Sequence, residues 1–167
     1  SLSKDQIKTN ITEFLKNHGI LTLATVSGFQ PWVATVYYAV DDRMNLIILT
    51  DPASRHGREM AKNSRVAFSI FDSGQPNAAA VKIGLQGTGI ISPIKGVVAN
   101  TKALLAWHRT NPGKEKDITI KDVIKTITDC RMYQITPKYL KHFNKALYSK
   151  EKYGTIASKI GQAIANF

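Results

Sequence analysis

The sequence predicts a mainly β domain, a closed or partly open antiparallel barrel with peripheral helices. Strand-like segments rich in apolar and β-branched residues alternate with turn residues over most of the chain, and helical patterns flank them. The chain of 167 residues contains no internal repeat and no long linker. We therefore expect a single domain over residues 1–167, with its barrel core at about residues 11–143.

The first element is predicted to be a helix over residues 3–17. Ser3 and Gln6 have the spacing of a capping box, in which each side chain accepts a hydrogen bond from the other residue's backbone. Apolar residues recur at helical spacing from Ile7 onward, and Gly19 provides a stop signal. The apolar stripe predicts that this helix packs against the core.

Six strand-like segments are predicted, at residues 20–26, 32–40, 46–49, 66–71, 79–92 and 131–136, the last resuming at 139–143 after an interruption by Pro137. The second segment is apolar on both faces, which predicts burial on both sides, in a barrel wall or an interface. The fifth contains Gly84, Gly87 and Gly89. Glycine inside a strand marks a bulge, a barrel bend or the close approach of a ligand.

Helical patterns also occur later in the chain. Residues 97–109 predict a helix, and the ambiguous segment 118–127 favours one. Residues 153–167 carry apolar side chains on one helical face. They predict an amphipathic C-terminal helix that packs on the domain or on a second subunit.

The segment between the third and fourth strands predicts an anion site. A short basic helix begins at Ser54, and Arg55 follows in its first turn. The first turn of a helix leaves backbone N–H groups unpaired and carries partial positive charge, so it binds phosphate readily. Ser54 can cap this helix or donate to a phosphate oxygen, and Arg55 supplies a bidentate fork. The alternative is a surface helix with solvated basic residues.

The formal net charge of +11 favours nucleic acid, an anionic membrane or phosphorylated small molecules as partners, although it is also compatible with mere solubility. No apolar run is long enough for a transmembrane helix, and the polar N-terminus shows no signal-peptide pattern. The single cysteine, Cys130, has no disulfide partner within the chain. We therefore expect a cytoplasmic protein that does not contact a membrane.

The sequence shows no metal site and no covalent nucleophile with an adjacent base. The four histidines lack the spacing of metal ligands; they are His18, His56, His108 and His142. The few carboxylates fall mostly in turns or helix caps, which disfavours a paired-carboxylate hydrolase. If the protein is an enzyme, we expect a cofactor to carry the reaction.

Several short motifs follow one another in a recognisable order over roughly residues 11–92. They are Leu21-Thr22-Leu23-Ala24-Thr25, Gly28-x-x-Pro31, Val36-Tyr37-Tyr38, Leu49-Thr50 followed by Ser54-Arg55-His56, Asn63-Ser64-Arg65-Val66, and Gly84-Leu85-Gln86-Gly87-Thr88-Gly89. In order and spacing, the chain resembles the pyridoxamine 5'-phosphate oxidase-like flavin-binding split barrels, and most of all their small bacterial members whose substrates are not established.

The resemblance implies a six-stranded antiparallel split β-barrel and a homodimer with two FMN sites at its interface. It assigns the FMN phosphate to Arg55, with Ser54 and His56 beside it. The family often has Lys where His56 stands, so this contact is expected to be weaker or pH-dependent. The remaining expected flavin contacts are the backbone of Val33, Ala34, Thr35 and Val36, the strand end at Leu49 and Thr50, and the side chains of Lys82 or Gln86.

The resemblance also implies a function. The expected activity is that of an FMN-dependent oxidoreductase, with hydride moving between NAD(P)H or a small-molecule substrate and the flavin. Residues 159–167 do not resemble the basic C-terminal segment of true pyridoxamine 5'-phosphate oxidases, so a vitamin B6 phosphate is not the expected substrate.

Three alternatives stay open at this point. The fold could serve a non-catalytic module that stores or senses flavin or haem. Deazaflavin or haem could replace FMN as the ligand. A basic nucleic-acid-binding barrel would suit the net charge, but no strand carries the aromatic and basic pattern of such proteins, so nucleic acid is not the expected partner.

Overall fold

A computed structural model describes residues 2–72, 74, 82–125 and 130–158 of the chain. The elements in chain order are α1 (Lys4–Lys16), β1 (Ile20–Val26), β2 (Pro31–Val40), β3 (Leu46–Thr50), α2 (Arg55–Lys62), β4 (Arg65–Phe71), β5 (Gly84–Pro93), α3 (Val97–Thr110), α4 (Ile120–Lys125), β6 (Arg131–Phe143), α5 (Lys145–Tyr148) and β7 (Tyr153–Ala157). The architecture is mainly β with peripheral helices, as the sequence predicts.

The barrel contains six antiparallel strands in the order β3-β2-β1-β4-β5-β6, and it closes because β3 also pairs with β6. In the closing pair, Leu46 lies opposite Ile135 and Thr50 lies opposite Arg131. The seventh strand, β7, pairs with the second half of β6. The six-stranded antiparallel barrel expected from the resemblance is therefore confirmed, with one strand added.

The barrel interior is filled by alternate residues of the strands together with one face of α1. Leu21, Tyr38 and Ile135 belong to this core, and Phe14 and Leu15 of α1 pack into it. The Tyr38 hydroxyl donates a 2.8 Å hydrogen bond to the backbone carbonyl oxygen of Leu15, which ties α1 to β2. Burial raises the pKa of this hydroxyl, so it stays protonated.

The N-terminus of α1 has the geometry that its sequence predicts. Ser3 and Gln6 form the capping box in both directions. Capping satisfies N–H groups that the helix itself leaves unpaired.

A second apolar cluster lies between the barrel and α3. Ala39, Ile47 and Met132 form the barrel side of this cluster, and Leu104 and Trp107 form the helix side. Helix α3 thus covers the outer surface of β2, β3 and β6. This packing explains part of the two-sided apolar pattern of β2.

The glycines of β5 serve packing inside the barrel. Gly87 lies opposite Phe68 and Leu140, and Gly89 lies opposite Pro137, all on the inner face. The register of β5 against β6 shifts between Thr88 and Gly89, which confirms a bulge at the glycine-bearing strand. A Cβ atom at Gly89 would lie 2.7 Å from the backbone oxygen of Thr136, so only glycine fits there.

The prediction of a C-terminal helix is wrong for the residues of that segment that the structure describes. Residues 153–157 form β7, which pairs with β6 so that Tyr153 lies opposite Phe143. Strand β3 pairs only with the first half of β6, so the second half of β6 has an open edge whose backbone N–H and C=O groups need partners. A neighbouring strand supplies these partners, whereas a helix could not. The rest of that predicted helix, 159–167, lies outside the described residues.

Three other boundaries differ from the sequence prediction. Strand β6 runs through Pro137 without interruption, because Lys138 is the extra residue of the bulge. Strand β5 begins at Gly84, while most of the earlier part of its predicted segment lies outside the described residues. Helix α4 confirms the helical interpretation of 118–127 over Ile120–Lys125, and residues 126–127 are not described.

We predict that Gly89→Ala lowers the free energy of unfolding by about 1–3 kcal/mol, because the added methyl group overlaps backbone atoms of β6. Gly19→Ala is the matched control, since a Cβ there meets its nearest atom at an ordinary 3.8 Å. Urea denaturation followed by circular dichroism measures both. Equal stabilities for the two variants would contradict the packing role of Gly89.

Candidate functional site

The turn between β3 and α2 is fixed by Ser54, the N-cap of α2. Its hydroxyl oxygen accepts a 3.1 Å hydrogen bond from the Gly57 N–H, and its O–H donates a 2.6 Å hydrogen bond to the Asp51 carbonyl oxygen. A Cβ atom at Gly57 would lie 2.5 Å from that same carbonyl oxygen, so glycine is required where the helix returns over the turn. Ser54 therefore acts as the cap, the first of its two predicted roles.

Two backbone donors remain at the start of α2. Within the described residues, the N–H groups of Arg55 and His56 have no hydrogen-bond partner. Unpaired N–H groups at a helix N-terminus favour a bound anion, and the helix dipole adds to this preference.

The guanidinium group of Arg55 is held on two sides. Its Nε–H donates a 3.0 Å hydrogen bond to Glu59 Oε1, and its central carbon lies 4.3 Å above the ring centroid of Trp32. The side chain is 41% exposed. In the part of the chain that is described, the Nη groups of Arg55 have no partner, so they are available to a ligand.

Glu59 connects Arg55 to the barrel wall. The Thr25 hydroxyl, which is almost fully buried in β1, donates a 2.7 Å hydrogen bond to Glu59 Oε2. This hydrogen bond, and next the one from Arg55, hold the pKa of Glu59 below its ordinary value. The carboxylate is therefore charged at neutral pH, although only 8% of the residue is exposed.

His56 extends the same site toward the end of β3. Its Nε2 atom lies 2.5 Å from Thr50 Oγ1, and the tautomer decides which atom donates. Burial lowers the pKa of His56, against the opposing influence of Asp51 and Glu59. His56 is therefore uncharged at neutral pH, in contrast to the lysine common in the family that the sequence resembles.

The remaining predicted contacts on β2 and β3 point in different directions. Val33 and Thr35 lie on the outer face of β2, while Val36 points into the core and Ala34 packs against it. Leu49 packs against the cluster beneath α3, away from Arg55. The structure thus brings Thr50, Ser54, Arg55 and His56 together, but Leu49 is not part of that group.

Lys82 and Gln86 belong to a second group of polar and aromatic residues. The ammonium group of Lys82 lies 4.7 Å from the ring centroid of Phe143, and that of Lys141 lies 4.3 Å from the ring centroid of Tyr153. Gln86 pairs with Lys141 across β5 and β6. We refer to Lys82, Gln86, Lys141, Phe143 and Tyr153 as the lysine–aromatic group.

The lysine–aromatic group lies on the outer surface of the barrel, on the same face of the sheet as Thr35 of β2. Thr35 lies opposite Thr22, which lies opposite Ser69, which lies opposite Gln86. Three strand spacings therefore separate β2 from Gln86, about 14 Å in total. Within one protomer, the lysine–aromatic group is therefore separated by three strand spacings from the predicted flavin contacts on β2.

Sequence reasoning missed Thr25, Trp32 and Glu59 around Arg55, and Lys141, Phe143 and Tyr153 beside Lys82. Glu59 had a local signal, since a carboxylate four positions after an arginine in a helix forms an ion pair. The aromatic pair had none, because Tyr153 was assigned to a helix.

The structure also contains a cleft of about 760 Å³ beside α3. Its lining includes the apolar residues Ile47, Ile94 and Ala103 and the basic residues Arg43, Lys102 and Arg109. Arg55 and His56 do not line it, so this cleft is separate from the candidate anion site. The described residues hold no cluster of possible metal ligands and no helix that could span a membrane.

Comparison with known proteins agrees with the resemblance in the sequence. The family model for pyridoxamine 5'-phosphate oxidase matches residues 7–130. A UPF0306 protein of Yersinia enterocolitica is 36% identical over 86 residues, which cover 51% of this chain and 57% of that protein. A UPF0306 protein of Yersinia pseudotuberculosis is 33% identical over 87 residues, or 52% and 58% of the two chains. The match therefore spans less than two thirds of the length of these relatives.

Solved structures show the same fold at low sequence identity. A haem-binding protein from Mycobacterium smegmatis has a TM-score of 0.70 at 14% identity, with 99% of this chain and 62% of that chain covered. HutZ, the haem storage protein from Vibrio cholerae, has a TM-score of 0.63 at 15% identity, with 90% and 94% covered. A proposed pyridoxamine 5'-phosphate oxidase from Listeria innocua has a TM-score of 0.63 at 16% identity, with 81% and 96% covered.

We predict that Thr25→Val destabilises the protein more at pH 7 than at pH 3. The pKa of Glu59 is lowered in the folded state, so its contribution to stability is present above its ordinary pKa and is lost as the pH falls through the folded-state pKa. Removing the Thr25 hydroxyl therefore matters most while Glu59 is charged. Urea denaturation at the two pH values measures the difference.

Thr22→Val is the control for this measurement, because Thr22 is an exposed threonine on the same strand. Equal destabilisation by Thr25→Val at both pH values would show that its hydroxyl does not stabilise the charged form of Glu59.

Proposed function

Because the chain belongs to the pyridoxamine 5'-phosphate oxidase family, we propose that it binds FMN at the interface of a homodimer and acts as a flavin-dependent oxidoreductase on a small molecule. The observation that carries this proposal is the open guanidinium edge of Arg55 beside the unpaired N–H groups of the first turn of α2. The residues present fit a phosphate group.

The phosphate would be held mainly by Arg55 and by the backbone N–H groups of Arg55 and His56. Charge-assisted hydrogen bonds from a guanidinium group to phosphate are among the strongest in proteins. Ser54 contributes by fixing the start of the helix, since its hydroxyl proton is already used. The neutral ring of His56 can add a hydrogen bond but no charge at pH 7.

The flavin ring would lie on the outer surface of β2, along the backbone of residues 33–36 and near Thr50. The lysine–aromatic group of a second copy would supply the other side of the site. Its aromatic rings and ammonium groups suit a flat aromatic ligand with an anionic tail. Two incomplete surfaces in one protomer support a site shared between two.

The outer barrel surface supports a homodimer. Ile20, Val33, Tyr37 and Phe71 are each more than half exposed in the protomer and lie on neighbouring strands β2, β1 and β4. Ile20 and Tyr37 are paired across β1 and β2. Burying such an apolar surface against a second copy would be favourable.

Bound FMN would supply hydride transfer, and the protein would hold and orient the flavin. The electron donor in this proposal is NAD(P)H or a small substrate. Deazaflavin and haem are the alternative ligands. The FMN titration described next therefore includes haemin as a separate probe.

We predict that Arg55→Ala weakens FMN binding about 10- to 100-fold, because it removes charge-assisted hydrogen bonds to the phosphate. Riboflavin, which lacks the phosphate, should bind with similar affinity to the wild type and to the variant. Quenching of flavin fluorescence during titration measures both affinities.

Lys62→Ala is the matched control, since it removes one exposed positive charge from the last turn of the same helix. The flavin proposal is contradicted if the wild type binds neither FMN nor riboflavin. Saturable binding of haemin by the same protein would then favour the haem alternative.

We predict that Val33→Glu converts the dimer to a monomer and weakens FMN binding at least about tenfold, because it places a charge in the apolar outer surface. Sedimentation velocity with and without FMN measures both effects. Val98→Glu, at an exposed valine of α3, should leave the assembly unchanged. A wild type that sediments as a monomer at micromolar concentration contradicts the shared site.

A further inference from the structure

We propose that Glu59 is a specificity-determining residue of the anion site. It orients the guanidinium group of Arg55, and its negative charge weakens the binding of a doubly charged phosphate relative to a singly charged anion. This inference rests on the proposed function, because it concerns the anion that Arg55 would hold.

The orienting effect follows from the donors of Arg55. A guanidinium group presents one edge with Nε and one Nη, and another edge with both Nη groups. Glu59 occupies the Nε donor, and the ring of Trp32 lies against the guanidinium plane. These two contacts fix the rotation and the plane of the group, so the edge with both Nη groups is presented to a ligand. Without Glu59, the long side chain would regain rotamer freedom that binding must then remove.

The charge effect follows from the burial of Glu59. Its carboxylate cannot turn into solvent, because Thr25 holds the second oxygen from within the barrel wall. Only the guanidinium group of Arg55 therefore separates an anion bound to its Nη groups from the fixed negative charge of Glu59. For unit charges roughly 8 Å apart, this repulsion lowers the affinity by about 30-fold per negative charge at an effective dielectric constant of about 20 and by about twofold at the value of water, about 80. Because Arg55 is 41% exposed, we expect a reduction near the lower end, about threefold per charge and so about tenfold for a dianion.

The other groups near Glu59 do not cancel this effect. Thr25 of β1 contacts Glu59 and Trp32 of β2 contacts Arg55, and both of these side chains are uncharged. On its own helix, Arg55 and His56 are the charged or titratable neighbours, and Asp51 in the preceding turn acts on His56. Any pH dependence must therefore be separated from titration of His56.

The test compares FMN binding by the wild type, Glu59→Gln and Glu59→Ala at pH 5 and pH 8. A phosphate monoester changes from a monoanion to a dianion with a pKa of about 6. Glu59→Gln keeps an oxygen that can accept from Arg55 Nε–H but removes the charge. It should bind FMN about tenfold more tightly than the wild type at pH 8, with a smaller gain at pH 5.

Glu59→Ala removes the charge and the orienting acceptor together, so it should bind FMN more weakly than Glu59→Gln at both pH values. Glu13→Gln is the matched control, because it removes one exposed carboxylate from α1 and should change neither affinity. The series is repeated in a His56→Gln background, where His56 cannot titrate.

The charge effect is overturned if Glu59→Gln does not bind FMN more tightly than the wild type at pH 8. It is also overturned if the increase in affinity is the same at pH 5 and pH 8. Equal affinities of Glu59→Gln and Glu59→Ala overturn the orienting effect. One measurement on the wild type does not depend on the folding of the Glu59 variants. The Arg55 Nε–H NMR signal, assigned by its loss in Arg55→Lys, should persist at pH 7. Its absence also overturns the orienting effect.

Failure of the proposed function gives a different result. If the wild type binds no FMN, inorganic phosphate is titrated instead and followed through the same Arg55 signal. Phosphate binding that is tighter in Glu59→Gln supports the inference while the flavin proposal fails. No response to phosphate in either protein overturns both.

Discussion

The pairing of β3 with β6 closes the barrel, and the candidate site depends on that closure. This pairing determines which side chains of β3 point into the barrel, and these are Leu46 and Ile48. Because side chains alternate along a strand, Thr50 at the end of β3 points in the same direction. Helix α2 begins just beyond this point, so His56 returns to Thr50. A slip of one residue in this pairing would reverse every side chain of β3.

The candidate anion site is a balanced group of charges and not a simple concentration of positive charge. The chain as a whole carries +11, yet the guanidinium group of Arg55 is paired with a nearly buried carboxylate. A buried carboxylate is costly unless its oxygens are hydrogen-bonded, and here Thr25 and Arg55 each satisfy one of them. The pair leaves directional donors for a ligand while keeping local charge low.

The outer surface of the barrel has two features that the proposed homodimer would explain. Val33 and Tyr37 are exposed apolar residues on a strand whose pattern predicts burial on both sides. Phe143 and Tyr153 form a partly exposed aromatic pair with lysines above them. A second copy of the chain would give both features a partner, which is why the proposed site is shared.

Short-range patterns in the sequence determined much of the fold and the centre of the site. Alternation and turn residues predict the six barrel strands, the capping box predicts the start of α1, and Ser54 marks the start of α2. These features follow from contacts between residues a few positions apart, and so a linear pattern can predict them.

Contacts between distant residues were decided only by the tertiary structure. Residues 153–157 have helical periodicity, but they form a strand because the free edge of β6 pairs with them. Glu59 accepts a hydrogen bond from Thr25, which is 34 positions away, and Arg55 of α2 contacts the ring of Trp32 in β2. No local pattern encodes these partners, because the closed barrel, and not the spacing along the chain, brings them together.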